Sequence, residues 1–336
     1  MQYYRSLGVF PHLSRETGGQ VQFSYFDIKA LHWSDIYMHD VIYVDHPMTP
    51  AGTKVIEDAT RQGKQVWIDL DDYLFEITPG NRALAYYSNP HNMEAVRKVL
   101  GMASLITVTT DPLKKAYSEF NGNVHIVPNA WNHYQWPLQP ITPAQPVARI
   151  TWRGSDTHGV DLHGIRGVLN EIQKDPAFAM LFFGWHEAWG VWLDIDRQRQ
   201  VVPEMEMFQF FHTYFSCGAD YLLYPLIDHP FNRAKSNIAW IEACIAGMAT
   251  IAPACMPEFN QPGVIRYKDA RHLRDILSNI KRGRIDKAEQ VELSRDALQE
   301  TRLSETNRLR LEALAGLGGA RGVKEPVQAP ALKAVK

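Results

Sequence analysis

Four prolines within residues 136–147 (Pro137, Pro140, Pro143 and Pro146) divide this chain into two runs of one pattern. Proline at that density removes backbone donors and fixes φ, so the tract reads as a stiff linker and not as helix or strand. On both sides of it, short apolar segments alternate with amphipathic ones. Before it, residues 41–44, 66–68, 105–109 and 124–127 read as buried strands. Residues 49–62, 92–100 and a segment that Asp111 caps and Pro112 starts read as helices. After it, residues 148–152, 180–184, 220–224, 249–252 and 264–267 read as strands, and 162–173, 205–216, 235–246 and 269–282 as helices. Strand–helix alternation of this kind builds parallel sheets covered by helices, an α/β fold class. Two such domains joined by a short linker leave a cleft between them. Ligands of parallel sheets sit outside the carboxyl ends of the strands. The loops after Val44, Ile68, Val127, Trp152, Gly184 and Tyr224 therefore carry the functional expectations.

A length of 336 residues fits two domains, and a net charge of −2 offers no overall footprint for nucleic acid. Cys217, Cys244 and Cys255 lack CxxC spacing and read as buried thiols of a reducing compartment. There is no run of about 18 apolar residues to cross a membrane and no signal-peptide core near Met1. A cytoplasmic location is expected. Neither Gly-x-Gly-x-x-Gly, a P-loop nor Gly-x-Ser-x-Gly is present, which weighs against dehydrogenase, NTPase and serine-hydrolase chemistry.

Three constellations carry chemistry. The strand at 220–224 stops at Pro225, and a polar loop leads to a helix opening with Lys235-Ser236 and carrying Glu242. The free N–H groups of a helix start favour an anion. Asn232, Lys235, Ala239, Glu242 and Ala246 fall on one stripe at helical spacing. That stripe suits a diphosphate at Lys235-Ser236-Asn237 and ribose on Glu242; a solvated helix face has the same pattern. Arg153-Gly154-Ser155 follows a strand, where Arg153 would clamp a diphosphate with Lys235 or else form an interdomain salt bridge. Asp69-Leu70-Asp71-Asp72 sets like charges at the end of another strand, which a cation, sugar hydroxyls or solvent must compensate. His46, in Asp45-His46-Pro47, follows a third strand. His158, Asp161 and His163 invite a metal, but Asp161 also suits a cap for a helix from Leu162.

Residues 219–253 resemble the signature of retaining GT-B glycosyltransferases of the family 4 type. Pro225, Leu226, Asp228, Phe231, Asn232, Lys235, Ser236 and Glu242 match a subgroup variant, Pro-Leu-x-Asp…Phe-Asn-x-x-Lys-Ser…Glu. Thr107–Leu113, Val127–Asn132, Ile150–Ser155 and Phe182–Gly184 resemble further family segments in the same order, and Tyr3, Tyr4 and Arg5 resemble the subgroup's start. The resemblance implies two facing Rossmann-like domains, residues 1–135 on the acceptor side and 148–284 on the donor side. A helical segment at 285–317 would pack back across both, and 318–336 would form a disordered tail. It implies a nucleotide-sugar donor of UDP or GDP type, retention, no obligatory cofactor and no metal. The acceptor would be a hydroxyl, left open among a glycan, lipid carrier, protein or modified nucleic-acid base. Arg153 and Lys235 would stabilise the diphosphate, and His46, Asp71 and Asp72 would face sugar or acceptor. Gly154, Ser155, Asp228, Asn232, Ser236 and Asn237 would line the donor site, with Glu242 as the family's ribose ligand. The family's first Glu falls on Ala234, and Asp228, Asn232 or Lys235 could replace it. Two alternatives stand beside this: a metal-dependent transferase using Asp69, Asp71 and Asp72, and a nonenzymatic relic binding sugar, nucleotide or a partner.

Overall fold

The computed structural model describes residues 2–47, 49–143 and 145–317; the expected tail at 318–336 lies outside the described residues. Strands β1 (Val41–Asp45), β2 (Gln65–Leu70), β3 (Leu105–Val108) and β4 (Val124–Ile126) form one parallel sheet in the order β1-β2-β3-β4. Strands β5 (Ala148–Arg153), β6 (Phe178–Phe183), β7 (Val201–Val202), β8 (Tyr221–Leu223), β9 (Ala249–Pro253) and β10 (Ile265–Tyr267) form a second, ordered β10-β9-β8-β5-β6-β7 and also parallel. Helices cover both faces of such sheets, which is why the central strands are apolar runs; β3, β8 and β9 are buried throughout. Side-chain oxygens start the covering helices. Thr49, Asn89, Thr110 and Asp269 each accept a hydrogen bond from a first-turn N–H. Thr110, not Asp111, is thus the cap before Pro112. The strand order of the second sheet turns at β5, which has β8 on one side and β6 on the other. The crevice of that sheet therefore opens beyond Arg153 and Tyr224.

Several boundaries differ from the sequence expectation. The helix expected from 235 starts at Ile238, after a separate turn of helix at Pro230–Arg233. Tertiary bonds claim the residues between: the Thr110 hydroxyl donates to the Ala234 carbonyl and the Asn129 amide to Ser236 Oγ. The helix expected at 162–173 divides at Ile165 into Gly159–Gly164 and Arg166–Lys174. The segment at 285–317 divides into Lys287–Leu298 and Leu303–Ala315, because the Trp131 backbone bonds Thr301 and Leu303 between them. The first of these packs on the second sheet's side, through Val291 and Leu298. The second packs on the first sheet, placing Leu303 and Ala313 among Val9, Phe10, Leu13, Trp67 and Leu105. Helical turns at Tyr3–Leu7 and Phe10–Glu16, and the two-residue β7, had no counterpart in the sequence reading. Of the three thiols only Cys244 is buried; Cys217 is half-buried and Cys255 exposed. No helix among the described residues is long and apolar enough to cross a membrane.

The Tyr3–Leu7 turn sits between the two sheets. Arg5 is 1% exposed, and its guanidinium meets the Asp69 carboxylate with two bonds of 2.6 and 2.7 Å. It also donates to the Val127 carbonyl at 2.7 Å and to Asn129 Oδ1 at 3.2 Å. Tyr4, beside it, reaches the other way and donates to Glu242 at 2.8 Å. The linker residues lie along the Ile238–Ala246 helix, where Arg295 donates to the carbonyls of Gln139 and Cys244. A cation at that point complements the negative end of the helix, where the Cys244 carbonyl also accepts the Gly247 N–H.

Candidate active site

The carboxyl end of β5 delivers Arg153 to the crevice. Arg153 Nη2 lies 2.5 Å from Glu242 Oε2, and Tyr4 bonds the other Glu242 oxygen. Glu242 is 2% exposed, because all nine residues of its helix are buried. No solvated face exists there, and Arg153 pairs inside its own half, not across the domains. Burial opposes the charge on Arg153, but Glu242 together with Tyr224, Tyr4 and Tyr214 outweighs it and raises the guanidinium pKa further. Burial, and then the Glu242 charge, hold the Tyr4 phenol well above its ordinary pKa.

Lys235 stands just before the helix, with its ammonium 4.6 Å from the Phe231 ring centroid and 3.9 Å from Asp72 Oδ1. Ser236 Oγ receives the Asn129 amide at 2.8 Å. Asn237 is the N-cap residue, yet its side chain makes no capping bond. The Asn232 amide holds Asp161 Oδ1 at 2.8 Å and the Ile227 carbonyl at 3.1 Å. Ala234 is buried in the first sheet's core cluster, so the loop carrying it is inserted into the opposing domain. Gly154 and Gly184 bring the loops after β5 and β6 into backbone contact. A Cβ on Gly184, whose φ is +108°, would stand 2.0 Å from the Gly154 carbonyl oxygen. Ser155 is exposed and bonds Thr157 at 2.7 Å. Asp228 does not join the buried group: it is half-exposed and holds Arg233 with bonds of 2.5 and 2.7 Å.

The first sheet presents His46 and Asp71. His46 has a φ of 48°, the only positive value at a non-glycine position among the described residues. That left-handed turn swings the ring between Asp45, 2.6 Å from Nδ1, and Asp71, 2.8 Å from Nε2. Burial works against a charged imidazole, but Asp71 and Asp45 prevail and lift its pKa well above the ordinary value. Burial likewise opposes ionisation of Asp71, yet the adjacent His46 keeps its pKa low. Asp71 is 1% exposed, and its second oxygen has no hydrogen-bond partner among the described residues. Burial raises the pKa of Asp72, with Lys235 pulling it back.

Asp69 leaves the acidic trio. Its two oxygens are taken by Arg5, and the Thr107 hydroxyl adds a further bond. The groups that approach one another are His46, Asp71 and Asp72, whose ligand atoms lie within 4.8 Å. These residues fit a divalent cation poorly: His46 Nδ1 bonds Asp45, Nε2 stands 2.8 Å from Asp71 Oδ1 without hydrogen-bond alignment, and the charged imidazolium that the raised pKa favours has no lone pair for a metal. Asp161 is not a helix cap. Its oxygens bind the Ile227 N–H, the Asn232 amide and His158 Nδ1. In the sequence, His158 and Asp161 read as a metal run or a cap and not as a hydrogen-bonded pair, and Asp45 carries no role. The three-residue spacing of His158 and Asp161 was the available signal for the pair.

No family model and no curated protein matches this chain. Solved structures do. HepE from Anabaena, in complex with UDP, aligns over 84% of this chain and 80% of its own, with a TM-score of 0.61 and 11% identity. The UDP-forming α,α-trehalose-phosphate synthase of Burkholderia xenovorans, in complex with glucose-6-phosphate, aligns over 95% and 84%, with a TM-score of 0.57 and 12% identity. The chain has the GT-B fold. TarM of S. aureus is similar too, at a TM-score of 0.57 and 9% identity, though this chain spans only 55% of its length. These GT-B neighbours are glycosyltransferases. In GT-B terms the Arg153, Lys235 and Glu242 side belongs to the second sheet, and the His46, Asp71 and Asp72 side to the first.

Proposed function

We propose that this chain is a glycosyltransferase that moves a sugar from a nucleotide diphosphate to a hydroxyl acceptor, with retention and without metal. One observation carries the proposal. Two half-buried cations at the crevice of the second sheet, Arg153 and Lys235, stand beside the acids of the first, Lys235 reaching Asp72 at 3.9 Å next to the His46–Asp71 pair. Cations in a water-poor site stabilise the charge that grows on a departing diphosphate. Arg153, Lys235, Ser236 and the helix start at Asn237 form that seat, with Gly154 and Ser155 lining it and Asn232 bracing its loop. Arriving phosphate oxygens compete with Glu242 for Arg153 and release its carboxylate, with the Tyr4 hydroxyl, toward the ribose. Asp71 and Asp72 stabilise positive charge at the anomeric carbon, and His46 fixes Asp71. The acceptor oxygen bonds to that carbon on the face the diphosphate leaves. The carbon–phosphate oxygen bond breaks, and the departing phosphate takes the hydroxyl proton. Positioning supplies much of the rate.

The carboxylate-flanked imidazole and the engagement of Asp69 support the metal-free route over an acidic metal site. The position of Ala234 favours the relic as the second reading, since a carboxylate there would have to enter the opposing domain's core. A panel of UDP- and GDP-sugars, assayed for nucleotide release in EDTA, separates the three. Release that persists in EDTA and is lost in Lys235→Ala and Glu242→Ala supports the metal-free transferase. Release abolished by EDTA selects the metal route. Nucleotide binding without release from any donor selects the relic.

A further inference from the structure

His158 is a buried imidazole without a role in the chemistry above. Its Nδ1 lies 2.9 Å from Asp161 Oδ2. The other Asp161 oxygen already accepts the Ile227 N–H and the Asn232 amide, both at 2.8 Å, so the carboxylate is fixed in place. An ionised carboxylate can only accept, so Nδ1 carries the proton and Nε2 is left as an acceptor. The Cδ2 corner of the ring, next to Nε2, is turned to Gly154: a Cβ on that glycine would stand 3.0 Å from Cδ2. Gly154 lies immediately beyond β5, where the strand order turns. The groups facing the ring are Arg153, Lys235, Asp72 and the Tyr224 ring at 5.8 Å, with Asp161 behind it. Burial, then the charge of Lys235, keep the imidazole neutral against the pull of Asp161.

A neutral acceptor is mismatched to phosphate, which also accepts, and is matched to a hydroxyl. We propose that His158 is a further substrate-contacting residue, whose Nε2 accepts a hydrogen bond from one hydroxyl of the transferred sugar, with Asp161 as its positioning residue. This rests on the glycosyltransferase reading. It gives the donor site a sugar-selecting contact from the second domain, independent of the diphosphate clamp.

The test uses the full chain and the donor that the wild type turns over, together with its deoxy analogues and the free nucleoside diphosphate. His158→Phe should lower kcat/KM about 10-fold or more while leaving nucleoside diphosphate affinity unchanged. One deoxy donor should be turned over equally by the wild type and by His158→Phe, because the contact is already missing. The wild-type kcat/KM should fall with acid as Nε2 gains a proton, at a pH below the ordinary histidine value of 6.5. His158→Gln, which keeps an acceptor, should recover part of the activity and lose that acid limb; it also carries the test if His158→Phe fails to fold. Asp161→Asn should weaken the hydroxyl discrimination. Wild-type kcat/KM and acid limb in both His158 variants would overturn this proposal alone, as would an equal loss of nucleotide affinity. A wild type that turns over no donor overturns the proposed function as well.

Discussion

Removing the guanidinium of Arg5 leaves the Asp69 carboxylate buried and charged, so Arg5→Ala should cost about 3–5 kcal/mol, read by urea unfolding. A result under about 1 kcal/mol would show that water reaches the pair. His46 offers a pH-dependent counterpart. Its folded pKa is raised, so its contribution is complete below the unfolded value of about 6.5 and disappears as pH rises through the folded value. The stability advantage of the wild type over His46→Gln should therefore shrink on the alkaline side, and a gap that is flat from pH 5 to 10 would contradict the assignment. Both cases mark what a sequence makes legible. The acids at 69, 71 and 72 were visible as charges in need of partners. That Arg5 takes one and His46 another depends on chain separations of 64 and 25 residues, which no local pattern encodes.

At the scale of elements, the parallel strands were legible because burial on both faces makes them apolar runs bounded by turn residues. The start of the Glu242 helix was not. Lys235 and Ser236 are acceptable helix formers, but the opposing domain holds their segment out of the helix through Thr110 and Asn129. The Tyr3–Leu7 turn escaped for a related reason, since polar and aromatic residues buried between two sheets show no amphipathic period. The loops after β5 and β6 allow a sharp check. Gly184→Ala must place a methyl group into the Gly154 carbonyl at a positive φ, so one loop has to move. We expect a loss of at least about 1–3 kcal/mol together with weaker nucleotide binding by calorimetry. Unchanged affinity would mean that the Gly154 loop does not line the donor site.

For the whole molecule, four polar contacts cross the cleft beside the apolar insertion of Phe231 and Ala234: Tyr4 to Glu242, Thr110 to Ala234, Asn129 to Ser236, and Arg82 to Asp156. Thr110→Val with Asn129→Ala should expand the ligand-free protein, seen as a larger radius of gyration in X-ray scattering, and nucleotide should reverse part of it. A radius identical to the wild type would place the closure in apolar packing. The crossing of Leu303–Ala315 onto the first sheet also has a meaning in time. A ribosome adding about 5–20 residues per second completes the first sheet, then needs on the order of ten seconds or more to supply the helix that shields Trp67 and Leu105. During that interval the emerging half-protein carries an apolar face that Val9, Phe10 and Leu13 cover in part and that its own distant continuation completes. Its yield in a cell thus depends on chaperone supply and on translation speed through the second half.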